Sequence, residues 1–164
     1  MSLARRILII GGIALALWGM AYGLWYAVFA EHQALDTIGA SLSSAFANAA
    51  EGHPERAHAA LGEYREAKYA YDRQVDVHGH WIGLAMLLIV LGIGLDGARF
   101  SERSKLLLAL GAFLGAILFP LGVLAQTVDH GPAPRILAIA GSALILIALA
   151  AFALGFSRAR LSST

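Results

Sequence analysis

Residues 7–30 read ILIIGGIALALWGMAYGLWYAVFA, 24 positions without a charge. A helix rises about 1.5 Å per residue, and about 20 apolar residues cross the hydrocarbon core of a bilayer. The stretch is long enough to span. Arg5 and Arg6 before it and Val28-Phe29-Ala30 at its end give it the outline of a secretory signal. Its apolar run is well beyond the roughly 7–15 residues of a signal's core, so it is expected to persist as a helix. Three further runs of the same kind place spans at about 7–30, 79–97, 105–126 and 135–156, the last three with uncharged cores Trp81–Leu95, Leu106–Ala125 and Ile136–Phe156. These are continuous Leu/Ala/Ile/Gly runs rather than the alternating segments of roughly 10 residues that build membrane barrels. The expected fold is all-α, a four-transmembrane-helix bundle.

The composition agrees. The chain is 59% hydrophobic and 14% charged, where a soluble domain is roughly half apolar and a quarter charged. With no cysteine among 164 residues, a disulfide framework, thiolate metal sites and a cysteine nucleophile are excluded. A net charge of +1 gives no bias toward nucleic acid, which is not an expected partner. The sequence contains no GxSxG, HExxH, P-loop or GxGxxG motif, so hydrolase, kinase and dehydrogenase chemistry have no anchor. Span cores free of Asp and Glu also lack the carboxylate relay of a pump.

Orientation follows from the cations. Arg5 and Arg6, then Arg99, Arg103 and Lys105, then Arg158 and Arg160 lie on one side, close to span ends. The long insert on the other side has four cations and eight acids. The positive-inside rule puts both termini in the cytoplasm and residues 31–80 outside, an arrangement expected of a bacterial inner-membrane protein.

The insert 31–77 is expected to be an extracytoplasmic helical hairpin. Glu51-Gly52-His53-Pro54 marks its turn, Gly ending one helix and Pro opening the next. His32, Leu35, Gly39, Leu42, Phe46 and Ala49 form one 3–4 spaced seam; Ala57, Leu61, Tyr64, Lys68, Tyr71, Val75 and His78 form another. No breaker separates either arm from its neighbouring span, so each arm and span should make one long rod. With the turn between Gly52 and His53, His32 is expected level with Arg73, and His78 level with Ala27.

All six histidines fall on the insert side of the spans. His32 follows Glu31 above the first span, His78 and His80 open the second, and His130 follows Asp129 between the third and fourth. Imidazole is the commonest metal ligand, oriented by a carboxylate or carbonyl on its second nitrogen. A single interfacial layer is therefore the expected site: His78, His130, His32, Glu31 and Asp129 for a metal, and His78, His80, His130 and His32 for a larger cofactor. Copper, iron or zinc would suit such ligands. His53 and His58, near the turn, are expected to be solvated. Trp25, Tyr26 and Trp81 read as anchors at the membrane–water interface. Pro120 is expected to kink its helix and free a carbonyl, with Gln126 and Thr127 bonding nearby.

A His-x-His opening a glycine-containing apolar helix, as in His78-Gly79-His80-Trp81-Ile82-Gly83-Leu84, resembles small four-helix membrane proteins related to subunit I of haem–copper oxidases. The resemblance covers roughly 20 of the 164 residues and lacks the twelve spans and mid-helix histidines of a full oxidase subunit. It implies that His78 or His80 is an axial ligand of haem b, with His130 or His32 opposite, in an electron-transfer or accessory subunit of a respiratory complex. The alternative is a non-catalytic subunit whose hairpin docks a partner protein. Gly19-x-x-x-Gly23 and Gly111-x-x-x-Gly115 offer close helix approach, inside the monomer or in a homo-oligomer.

Overall fold

A computed structural model describes residues 1–160, and side chains through Ser157. Arg158 and Arg160, counted above for orientation, have side chains outside the described residues. Among the described residues five α-helices follow in order: α1 Leu3–Phe29, α2 Glu31–Ala50, α3 Pro54–Gly94, α4 Glu102–Ala125 and α5 Pro132–Arg160, with a 3₁₀ turn at Leu95–Gly97 closing α3. Four segments are long and apolar enough to cross a membrane: α1, α3 with its closing turn, α4 and α5. The chain is an integral membrane protein with a four-helix bundle, and α2 and the first half of α3 extend from it as an antiparallel hairpin.

Elementary capping chemistry sets the boundaries. Ser2 Oγ accepts the N–H of Arg5, and Ser101 Oγ accepts that of Ser104, each satisfying an orphan donor at a helix start. At the hairpin tip Gly52 takes φ 77° and His53 N–H reaches back to Asn48 O at 2.8 Å. That is the six-to-one bond of a glycine-terminated helix, after which Pro54 opens α3 at the position where a missing N–H costs nothing. On the side away from the hairpin, Arg5 pairs with Asp96 at 2.8 Å and Lys105 with Glu102 at 3.2 Å.

The expected rods are half right. α3 runs unbroken for 41 residues, from the hairpin into the bundle. α1 and α2 are separate, because Ala30 leaves the helical region at φ −121°. Its N–H still bonds Tyr26 O and its carbonyl still accepts from Ala34, so the chain bends without losing those bonds.

The seam expected on α2 is displaced by about one residue. Ser41 and Ala45 are the buried positions, with Ala34, Ile38 and Asn48 half-buried on the same stripe, whereas Leu35 and Phe46 are exposed. On α3 the buried partners are Ala57 and Ala60. Small residues on both arms let the two backbones approach closely, which larger Leu and Phe side chains would prevent. The α3 seam holds at Ala57, Leu61, Tyr64, Lys68, Tyr71 and His78, but Val75 is exposed.

Inside the bundle, glycine decides the spacing. A Cβ at Gly12 would meet Ala85 O at 2.9 Å, and one at Gly92 would meet Leu8 Cβ at 3.0 Å, so α1 and α3 touch backbone to backbone. Gly115 and Gly141 face each other across α4 and α5; Gly122 abuts the Ala138 backbone, and Gly141 that of Phe119. Gly19, Gly23 and Gly115 are therefore consumed within the monomer, while Gly111 has no neighbour within 4 Å. Pro120 is buried within an uninterrupted α4, and Gln126 and Thr127 bond back to Gly122 O and Leu124 O at its end.

Gly122→Ala and Gly141→Ala should each lower stability by about 1–3 kcal/mol, since backbone rather than a movable side chain blocks the added methyl. Gly111→Ala should leave it unchanged or raise it by up to about 1 kcal/mol, the gain in helix propensity. Thermal unfolding in mild detergent checks both.

Candidate functional site

The residues expected to share one layer lie at different depths. The α1–α3 register decides this. His78 Nδ1 lies 2.9 Å from Gly19 O, and its ring occupies the space a side chain at Gly23 would need. His78 is therefore level with Gly19–Gly23, four to eight residues inward of Ala27, which is about 6–12 Å deeper than expected. Further along the same seam, Tyr22 Oη donates to Gln74 Oε1, the Tyr26 and Tyr71 rings are 6.4 Å apart, and Tyr71 Oη donates to Glu31 Oε1 at 3.3 Å. Positions 78, 74 and 71 of α3 thus meet 19–23, 22 and 26 of α1. A ladder of polar contacts descends from Glu31 to His78 and ends there, against the apolar contacts of Trp81 and Ala85.

His80 points elsewhere. Its ring meets Phe119 of α4 edge-on at 4.7 Å, and its buried Nδ1 has no hydrogen-bond partner. His130 lies beside α3 much higher up: Nε2 is 3.8 Å from Glu66, and the ring is 5.6 Å from that of Tyr69. Glu66 and Tyr69 precede His78 by 12 and 9 residues, so about 14–18 Å of helix separates the two levels. His32 is 88% exposed and faces its own Asp36 at 3.4 Å. Asp129 accepts the N–H of Gly131 at 2.7 Å, closing the loop before α5. His53 is exposed beside Glu51, and His58 is exposed.

The structure therefore brings Glu31 toward Tyr71 and His130 toward Glu66, and joins no two of His32, His78, His80 and His130. Among the described residues, no group of three His, Asp or Glu side chains is placed to hold a metal ion. The expectation of a common interfacial layer is corrected: the register slides α3 inward along the glycines of α1. Trp81, expected as an interfacial anchor, is 1% exposed and packs edge-on against Trp18 and Tyr22. A groove of about 320 Å³ beside it is lined by Gly11, Leu15 and Trp18 of α1 and Phe113 and Ile117 of α4. No histidine reaches its walls, so the groove does not supply the axial ligand that a haem would require.

Three contributors lie outside the expected site: Gln74, four residues before His78 on α3, and Gly19 and Gly23, which cradle His78 in addition to allowing close packing. The i, i+4 spacing of Gln74 and His78, matched to Gly19-x-x-x-Gly23, is the signal that could have found them. Comparison with protein-family models, curated proteins and solved structures yields no match for this chain.

Gly23→Ala should displace the His78 ring and break its bond to Gly19 O. In ¹⁵N-histidine spectra the protected Nδ1–H signal should vanish, while Gly39→Ala, in open space, leaves it intact. Tyr71 should ionise above its ordinary value near 10, because lost hydration and then the Glu31 charge both disfavour the phenolate. The folded chain holds that proton more tightly. The associated stability is complete below the unfolded value and fades as pH rises through the folded one. Glu31→Gln should lower the Tyr71 titration, read as the absorbance difference between chains with and without Tyr71→Phe.

Proposed function

We propose that this chain is a non-catalytic membrane subunit whose hairpin docks a protein helix outside the membrane. One observation carries the reading: the two arms of the hairpin have opposite surfaces. Between Pro54 and Asp76, α3 has nine charged residues; between Gln33 and Ala50, α2 has one, Asp36. A helix surrounded by water ordinarily keeps a charged face toward it. Here the exposed side of α2 instead presents Leu35, 46% exposed, and Phe46, 70% exposed, amid Ala, Ser and Gly. An apolar stripe of this kind is the signature of helix-on-helix recognition. The cation distribution supports cytoplasmic termini and an extracytoplasmic hairpin, as in a bacterial inner membrane.

A second reading, the haem- or metal-binding electron-transfer subunit, retains one supporting observation. A carbonyl can only accept, so the His78–Gly19 contact requires Nδ1 to carry the proton, which leaves the Nε2 lone pair of a neutral ring free for a ligand. Absence of both a Soret band and stoichiometric metal in protein purified in mild detergent would dismiss it.

The chain's lack of cysteine makes the docking reading directly testable. Single variants Phe46→Cys and Glu63→Cys, treated in intact spheroplasts with a membrane-impermeant maleimide, should differ: Glu63→Cys labels readily, and Phe46→Cys is shielded until the membrane is solubilised. Equal labelling of the two counts against docking, and failure of Glu63→Cys to label counts against the orientation.

A further inference from the structure

We infer that the groove beside Trp81 seats one phospholipid acyl chain at mid-bilayer, between α1 and α4. The inference goes beyond the docking reading and involves no residue of the hairpin. Glycine joins the bundle as two tight pairs, α1 with α3 and α4 with α5, each in backbone contact. Between α1 and α4 the contact is different. At Gly11 the Phe113 ring fills the room of the missing side chain, its Cε2 2.7 Å from where a Cβ would stand. Beyond that level the two helices leave a groove of about 320 Å³, with the buried Leu15 and Trp81 as its floor and Ala14, Trp18 and Leu121 along its walls. No charged, hydroxyl or amide side chain lines it. Phe113 marks one end, and Trp18, edge-on to Trp81 at 6.0 Å, marks the other.

Depth, continuity and size identify the occupant. Gly11–Trp18 straddles the midpoint of α1, Leu3–Phe29, so the groove lies where a bilayer offers only hydrocarbon and other membrane helices. Its walls run on into the lipid-facing surface of the bundle: Trp18 is 59% and Leu121 38% exposed, beside the exposed Leu17 and Leu114. The groove extends about 10–12 Å along α1 and α4, which leaves a cross-section of roughly 30 Å². A helix with its side chains is about 10–12 Å across, a section of roughly 80–110 Å², and cannot enter. A straight hydrocarbon chain, about 4 Å thick at carbon–carbon contact, fits. An isoprenoid tail, branched along its length, is thicker, and a polar head at this level would lack a hydrogen-bond partner. An unfilled gap forfeits the dispersion contacts of its walls, and a seated acyl chain recovers them.

Native mass spectrometry of the chain extracted in mild detergent tests this. After washing that strips lipid from the rest of the surface, the unaltered chain should keep a single phospholipid. Ala14→Phe and Leu121→Trp each place a ring in the groove and should keep about ten-fold less. Leu17→Phe adds the same bulk on the lipid-facing side, outside the groove, and should match the unaltered chain. Returning palmitoyl-oleoyl phosphatidylethanolamine or phosphatidylglycerol to the stripped chain should restore the bound lipid equally, because the groove meets the chain and not the headgroup. Variants on opposite walls guard against a packing fault at either one, and circular dichroism confirms that each remains helical. Three results overturn the assignment: no phospholipid kept by the unaltered chain, equal retention in both groove-filling variants, or an isoprenoid or a protein held in its place. The maleimide result at Phe46→Cys does not bear on any of them, so the acyl-chain seat and the docking reading stand or fall separately.

Discussion

Backbone-to-backbone contact through glycine is the constraint on which the rest of this structure depends. Within a bilayer the hydrophobic effect does not drive one apolar helix against another, since lipid tails serve equally well as neighbours. What remains is dispersion and shape, and these require close approach. Gly12, Gly19 and Gly92 supply it between α1 and α3, where Gly23 makes room for the His78 ring, and Gly115, Gly122 and Gly141 supply it between α4 and α5. Large side chains then turn outward. Ile10, Leu17, Leu24, Met86, Val90 and Leu146 are all exposed, as a bilayer-facing surface permits.

The same contact sets the depth of the polar groups. Because α3 seats against the glycines of α1, His78 is carried to the level of Gly19–Gly23 and bonds a backbone carbonyl there. An imidazole in an apolar surrounding needs such a partner, since an unmade hydrogen bond there costs more than in water. Tyr22 with Gln74, and Tyr71 with Glu31, continue the pattern outward. Most of the polar groups on the α1–α3 seam are thus paired with one another, the exception being the buried Tyr26 hydroxyl, which has no hydrogen-bond partner. The groove near Trp81 is apolar, and on the hairpin the outer side of α2 leaves Leu35 and Phe46 uncovered.

The sequence made much of the architecture legible. Unbroken apolar runs announced the spans, and Glu51-Gly52-His53-Pro54 announced the hairpin turn, because φ above zero and a missing N–H have few other uses. Less was legible at the candidate site. Counting residues from the turn put His78 level with Ala27, yet a helix pair can slide by a turn or two without altering any local preference. The fit of Gly23 against the His78 ring, of Gly12 against Ala85 and of Gly92 against Leu8 selects the observed register. The α2 seam was misplaced for a related reason. Two stripes one residue apart are both compatible with helical periodicity, and the larger residues of the first stripe looked more like a core than Ser41 and Ala45 did.

Helical content, four membrane crossings and a projecting hairpin were therefore determined by sequence alone, through bilayer thickness, apolar run length and turn chemistry, all of which act over a few neighbouring residues. Depth, facing and partnership were decided by the tertiary structure: which stripe of α2 is covered, where His78 and His80 come to rest, and why Trp81 is buried. These depend on distances between residues far apart in the chain. Such distances are set by how closely two backbones can approach, a property of pairs of helices that neither sequence segment carries by itself.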